Sequence, residues 1–126
     1  MRQVIESHRG SDFLLGSADC ATLFSNAVFA MTGFDPAEGC RNYSCPVSAL
    51  RVLRARGFRS VLELVEANFV EIPVTLAQRG DLGFPEIPNG EPLMSPGVID
   101  GPVAFSMNET GFVILPRQIL QRAFAV

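Results

Sequence analysis

The sequence predicts an α+β fold, with helices from the first half packed on a small antiparallel sheet formed by the second half. The first half spaces its apolar residues as helices do and supplies residues that start and stop helices. The second half contains short apolar runs bounded by Gly, Pro, Asn and Asp, a pattern typical of antiparallel strands. The length of 126 residues and the apolar fraction of 48% indicate one folded domain over residues 1–126.

The clearest helix runs from Cys20 to Thr32. Asp19 is suited to cap its start, and Gly33 suits the left-handed residue that follows a helix. Cys20 stands in the first turn, in phase with the apolar side of the helix. That side is formed by apolar residues at i, i+3 and i+4 spacing, namely Leu23, Phe24, Ala27, Val28 and Met31.

Two more helices and four strands follow. One helix is predicted over residues 47–56, with Gly57 as its stop, and another from a Ser60 cap to about Ala67. Pro116 is predicted to open a last short helix that reaches Arg122, because proline in a first turn gives up no helical hydrogen bond. The predicted strands are residues 80–84, 97–99, 103–105 and 111–115.

Charge and hydropathy exclude several classes of protein. The chain has ten Arg, no Lys and a net charge of -3, so no basic patch for nucleic acid is expected. The densest group of arginines, between Arg51 and Arg59, is typical of a solvated helix face. No apolar stretch is long enough for stable membrane insertion, and the first residues lack a signal-peptide core. Synthesis in the cytoplasm is therefore predicted.

The three cysteines predict neither a disulfide framework nor a metal centre. An odd number of cysteines leaves one unpaired, and Cys40 with Cys45 lacks the two further ligands that a structural zinc requires. All three are predicted to be reduced thiols. No metal site and no cofactor are expected.

Cys20 is the one candidate chemical centre. The partial positive charge at a helix start stabilises thiolate over thiol, which permits a nucleophile at this position. The alternative is a structural thiol, because free cysteine is often buried and Cys20 continues the apolar side of its own helix.

The order of elements resembles the NlpC-type cell-wall cysteine peptidases, a compact papain-like family. The resemblance rests on a glycine-led turn into Asp19-Cys20 at a helix start, further helices, and Gly80-Asp81-Leu82 opening a small antiparallel sheet. It implies that Cys20 is the nucleophile and that Gly80-Asp81 begins the first sheet strand. In that family a histidine at the head of the next strand is the base.

The whole chain also resembles a family of phage and prophage proteins that are related to those peptidases and encoded among tail-tip genes. The matching residues are Phe13, Gly16, Asp19-Cys20, residues 32–36, Tyr43, Ala49-Leu50, Gly57, residues 77–81, Gly101, Gly111-Phe112 and residues 123–126. This resemblance implies a component of a phage tail.

The chain departs from the peptidase pattern at the base. The segment that corresponds to the histidine-led strand is Ser95-Pro96-Gly97-Val98-Ile99, so Ser95 occupies the position of the base. Serine is no general base for cysteine attack on an amide, which requires an imidazole. The one histidine, His8, precedes the cysteine; a surface position is expected for it, with a role as alternative base left open. Turn or helix capping explains Asp19 and Asp81 without chemistry.

Three hypotheses follow from these residues. The first is a structural or assembly component of a phage tail tip or baseplate, made in the host cytoplasm and carried in the virion tail, with other tail-tip proteins as partners. The second is an active peptidoglycan-cleaving cysteine peptidase that uses Cys20 while DNA enters the cell. The third is a small intracellular binding protein. The missing histidine favours a protein that is not an enzyme.

Overall fold

In the computed structural model the described residues are 2–9, 20–39, 43, 45–108 and 111–126, with only the backbone described for Arg2, Cys20 and Asn108. The helices within them are α1 (Arg2–Arg9), α2 (Cys20–Thr32), α3 (Pro46–Ala55) and α4 (Val61–Asn68). The strands are β1 (Val70–Ile72), β2 (Leu82–Phe84), β3 (Gly97–Asp100), β4 (Val103–Asn108), β5 (Gly111–Pro116) and β6 (Arg122–Ala125). Short 3₁₀ helices cover Val74–Leu76, Pro88–Gly90 and Arg117–Ile119. No described helix is long and apolar enough to span a bilayer.

The six strands form one sheet in the order β1-β6-β2-β3-β4-β5, and every neighbouring pair is antiparallel. Leu82 lies opposite both Phe124 and Val98, and Val98 lies opposite Phe105, so these side chains share one face. This face, called the helix face below, carries the main apolar core with residues of all four helices. The predicted α+β fold with an antiparallel sheet is confirmed.

Helix α2 packs on this face against β3 and β4. Leu23, Phe24, Ala27 and Val28 are at most 2% exposed, as their spacing predicts. Met31 is exposed, unlike the prediction, because the last turn of α2 contributes nothing to the core. Gly33 ends the helix with φ +79°, and its N–H donates to the Phe29 carbonyl at 2.8 Å. The predicted bounds of this helix are confirmed.

Local end signals also place α3 and α4 correctly. Helix α3 spans Pro46–Ala55, and Gly57 follows it with φ +88°. Ser60 caps α4, since its hydroxyl accepts from the Glu63 N–H at 3.1 Å. These positions agree with the prediction to within a residue or two.

The predicted C-terminal helix is wrong. Only Arg117–Ile119 form a 3₁₀ turn, and the following Arg122–Ala125 form β6, which lies between β1 and β2. As a strand this segment buries Ala123 on one face of the sheet and Phe124 on the other. It also pairs its backbone on both sides, which an isolated helical turn does not. Strand β1, which has three residues and an exposed Val70, was not predicted either.

Arg122 fastens β6 to its neighbours. Its Nε and Nη2 donate to the two carboxylate oxygens of Glu71 on β1 at 2.8 and 2.7 Å, and Nη2 also donates to Glu66 on α4 at 3.1 Å. The hydrogen bonds from Arg122 lower the pKa of Glu71. The bidentate geometry gives this pair more specificity than a single contact would.

A second, smaller core covers the opposite face of the sheet. It consists of Ala77, Ile99, Ala104, Leu120 and Ala123. Two glycines, Gly83 and Gly97, lie opposite each other under it. A Cβ on Gly83 would lie 2.6 Å from Leu120 Cδ1, and a Cβ on Gly97 would lie 3.1 Å from the Ala104 Cβ. Close packing on this face therefore depends on glycine at both positions.

We expect Gly83→Ala to lower the free energy of unfolding by about 1–3 kcal/mol, the usual cost of overpacking a core. Leu120 supplies the closest atom, so Leu120→Ala in the Gly83→Ala background should cost less than in the wild type. Urea unfolding of the four proteins of this double-mutant cycle measures the coupling. Equal costs of Leu120→Ala in both backgrounds would contradict the steric explanation.

Candidate functional site

The register of the strands defines two ends of the sheet. At one end, called the site end below, lie Phe84 of β2, Gly97 of β3, and the opposed pair Met107 and Phe112 of β4 and β5. At the other end, called the far end, β1 begins at Val70, opposite Ala125 of β6. Any side chain can be assigned to one end by the strand residues that it contacts.

The orientation of α2 directs Cys20 to the site end. Phe34 lies two residues after the end of α2 and meets Phe69 edge to face, with ring centroids 6.3 Å apart. Phe69 precedes β1, so the carboxyl end of α2 lies at the far end. The 13 residues of α2 span about 20 Å, which is about the length of a six-residue strand. Since α2 packs on β3 and β4, its amino end with Cys20 points to the site end.

Ser95 also lies at the site end, two residues before β3 begins at Gly97. It is buried, and its hydroxyl lies 3.5 Å from the Leu93 carbonyl. The resemblance to the peptidases places the base at this strand start. The structure therefore has a buried hydroxyl at the end of the sheet to which the amino end of α2 points.

Helix α1 brings the one histidine to the same end. The Arg9 guanidinium lies 5.3 Å from the ring centroid of Phe112 and 5.8 Å from that of Phe105, a cation–π arrangement. Next to Arg9, His8 is only 5% exposed, so the expected surface position of His8 is wrong. Helix α1 packs on α2 and β5 with Ile5 and His8, one turn apart, on its buried side.

The hydrogen bonds of His8 assign its tautomer. Nδ1 lies 3.1 Å from the Val4 carbonyl oxygen, and a carbonyl only accepts, so Nδ1 carries the proton. In the neutral imidazole Nε2 is then an acceptor; it is buried and has no hydrogen-bond partner among the described residues. The structure thus brings the amino end of α2, Ser95 and His8 to one end of the sheet. The Cys20 side chain, and with it its distance to either residue, lies outside the described part.

The burial of His8 was not predicted, although the spacing of residues in α1 contains a signal for it. His8 follows Ile5 by three residues and Val4 by four, the separations that place residues on one side of a helix and that also identified α2. The charged neighbours of His8, Glu6 and Arg9, instead favoured a surface position for it. These two form a partly exposed ion pair at 3.7 Å.

Asp81 has a structural role at the far end. It is buried, Oδ2 accepts from the Gln78 N–H at 2.8 Å, and Oδ1 accepts from the Val126 N–H at 3.0 Å. Both carboxylate oxygens therefore accept hydrogen bonds from backbone N–H groups, which agrees with the prediction that turn capping explains Asp81. Asp19, the other carboxylate considered, lies outside the described residues.

Cys45 is a free, exposed thiol at the N-cap of α3. Its Sγ lies 3.4 Å from the Ser48 hydroxyl, and the hydrogen bond from that side chain lowers the pKa of the thiol. Cys40 lies outside the described residues. Among the described residues, no three His, Cys, Asp or Glu side chains are grouped as metal ligands would be.

We expect Asp81→Asn to lower the free energy of unfolding by about 1–3 kcal/mol, because the new NH₂ group faces a backbone N–H that then lacks an acceptor. Asp100→Asn is the matched control. Asp100 forms a partly exposed ion pair with Arg79 at 3.2 Å, worth about 0–1 kcal/mol. Equal losses for the two variants in urea unfolding would contradict the role assigned to Asp81.

The fold is similar to that of a solved structure described as the NlpC/p60 domain of the peptidoglycan hydrolase SagA. The TM-score is 0.62 and the sequence identity 16%, over 99% of this chain and 95% of that chain. A likeness at this identity concerns the fold alone. It confirms the predicted papain-like, NlpC-type architecture, with helices on one face of an antiparallel sheet.

Family comparison places the whole chain in one group. No curated protein matches the sequence. A family described as a domain of unknown function (DUF6950) matches residues 1–126. The chain therefore belongs to the DUF6950 family, and its fold is that of an NlpC/p60 domain.

Proposed function

We propose that this chain is a structural or assembly component of a phage or phage-derived tail tip or baseplate, built on an NlpC-like fold without the catalytic histidine. The observation that carries the proposal is the buried Ser95 before the start of β3, at the same end of the sheet as the amino end of α2. The assignment to a tail rests on the resemblance in residue order along the whole chain. Its partners are other tail-tip proteins, and its place is the virion tail after synthesis in the host cytoplasm.

The chemistry of Ser95 explains why this site favours a structural role. A cysteine peptidase needs one group that accepts a proton near neutral pH and then returns it to the leaving amine, as imidazole does. A serine hydroxyl does not titrate in that range, and that of Ser95 is directed to the Leu93 carbonyl. Loss of the base leaves the fold intact, because fold and chemistry are separable.

We expect mass spectrometry to find the protein in purified tail particles of the source phage or prophage, and deletion of its gene to give defective tails.

Cys20→Ser should retain tail function and lose about 1 kcal/mol of stability, the usual cost of a single core change. Cys45→Ser, at an exposed thiol, is the matched control. Particles that lack the protein, with normal tails in the deletion strain, would refute the proposal.

A second candidate function is an active peptidoglycan cysteine peptidase that uses Cys20. The specific observation in its favour is His8, whose buried Nε2 has no described partner and which lies at the site end. In this case the imidazole comes from α1 and not from the start of β3. The SagA domain, described as part of a peptidoglycan hydrolase, indicates the substrate class to test.

Alkylation of the cysteines separates the two candidates, with Cys45 as an internal standard. If Cys20 is structural, iodoacetamide at pH 7 should label it more slowly than Cys45, because Cys45 is exposed and its pKa is lowered by Ser48. His8→Gln should then leave the Cys20 rate unchanged. Three results together would establish the peptidase instead. Cys20 would be labelled faster than Cys45, His8→Gln would slow the labelling of Cys20 about tenfold or more, and the protein would turn over a peptidoglycan peptide.

Ser48→Ala tests whether Ser48 controls the reactivity of Cys45, the internal standard of this experiment. Removing the hydroxyl raises the pKa of the Cys45 thiol, so the thiolate fraction and the Cys45 labelling rate should fall at pH 7. The rates of the variant and the wild type should converge at a pH above both pKa values, where each thiol is ionised. An unchanged Cys45 rate at pH 7 would show that Ser48 does not control this thiol.

A further inference from the structure

We propose that the outer edge of β5 pairs with the same edge of a second copy, forming a twofold-symmetric dimer with one continuous sheet. Strand β5 is the last in the sheet order, and among the described residues it pairs with β4 alone. The proposal concerns the purified chain and does not depend on the proposed function.

In the part of the chain that the structure describes, the edge at β5 lacks the usual protection against pairing. Gly111–Pro116 contains no charged residue, and its register with β4 runs over six residue pairs without a bulge. Exposed edges are usually shortened, charged or bulged to prevent association. At the opposite edge, β1 has three residues, and its Glu71 is held by Arg122. Within Gly111–Pro116 the one protective residue is Pro116, which lies at the very end of the strand.

Exposure points to the same strand. Ile114 lies opposite Phe105 on the helix face, yet 54% of it is exposed. Helix α1 contacts β5, but Arg9 lies over Phe112 and Phe105, towards the site end of the hairpin. Among the described residues, an apolar β-branched side chain thus remains largely exposed beside a strand edge that pairs with no further strand.

The hydrogen-bond phase of the hairpin shows which groups face outward. Asn108 pairs with Gly111, so the connection between β4 and β5 has two residues. The pair that flanks a two-residue connection is a hydrogen-bonded pair, and such pairs alternate along an antiparallel ladder. Gly111, Val113 and Leu115 therefore bond to β4. The N–H and C=O groups of Phe112 and Ile114 face the outer edge.

The outward-facing backbone groups of one copy are complementary to the same groups of a second copy. With the twofold axis at Val113, Phe112 lies opposite Ile114 of the second copy, and the reverse pair forms on the other side of the axis. Each pair exchanges two backbone hydrogen bonds. Phe112 and Ile114 both belong to the helix face, so the faces of the two sheets also match. If the register between the two β5 strands shifted by one residue, outward-facing backbone groups of one copy would lie opposite inward-facing groups of the other. The helix face of one sheet would then adjoin the opposite face of the second sheet.

The side chains of this arrangement favour pairing as well. An aromatic residue opposite a β-branched residue is one of the stabilising cross-strand pairs, and the symmetry produces it twice. Such an interface is isologous, so it closes at two copies and does not propagate into a filament.

Sedimentation equilibrium of the wild type and two matched variants tests the proposal. Ile114→Lys places a charge at the edge and removes both Phe112–Ile114 contacts. Ile119→Lys makes the same change at a residue that is 45% exposed and lies in the 3₁₀ helix after β5. We expect a wild-type dimer, association at least tenfold weaker in Ile114→Lys, equivalent to about 1.4 kcal/mol, and little change for Ile119→Lys.

Ile114→Pro gives an independent test, because it removes an N–H that faces outward and leaves the bonds to β4 in place. It should also give monomers, with circular dichroism and urea unfolding showing that each variant is folded. A monomeric wild type, or a dimer that Ile114→Lys and Ile119→Lys affect equally, would overturn the proposal.

Discussion

Burial of the first turns of α2 is the interaction on which the rest of the structure depends. From Thr22 to Ser25 every residue is buried, because the helix contacts α1 on one side and β3 and β4 on another. Each large apolar side chain buried here contributes about 1.5–3 kcal/mol. This packing directs Cys20 to the site end, and it also provides the surface that receives Ile5 and His8 of α1.

The parts of the fold that the sequence predicted well have local signals. The bounds of α2 follow from apolar spacing and from Gly33, and the start of α4 follows from the Ser60 cap, since each depends on residues within a few positions. Strand β6 depends on pairing with β1 and β2, some 40 to 50 residues earlier in the chain, as the Glu71–Arg122 contact shows. No local pattern encodes that pairing, and Pro116 favoured a helix instead.

In the candidate site, too, local features could be predicted from the sequence and features that depend on tertiary contacts could not. The sequence identified Cys20 and Ser95 from their order along the chain, and it identified Asp81 as structural from its turn context. Burial of His8 depends on how α1 docks on α2, so a tertiary contact decided it. The two candidate functions differ in whether that imidazole reaches the sulfur, whereas the Gly80-Asp81 pair supports the fold through backbone hydrogen bonds in either case.

A histidine at position 95 tests the central claim most directly, namely the proposal that this chain has an NlpC-like fold in which Ser95 stands where the peptidases have their histidine. The measurement is the pH dependence of Cys20 alkylation in Ser95→His, with Cys40 and Cys45 replaced by Ser and folding checked by urea unfolding. If the introduced imidazole reaches Cys20, its protonated form stabilises the thiolate, and the labelling rate below pH 7 should rise about tenfold or more. A rate profile identical to that of the parent would show that Ser95 does not face Cys20, and would contradict the claim.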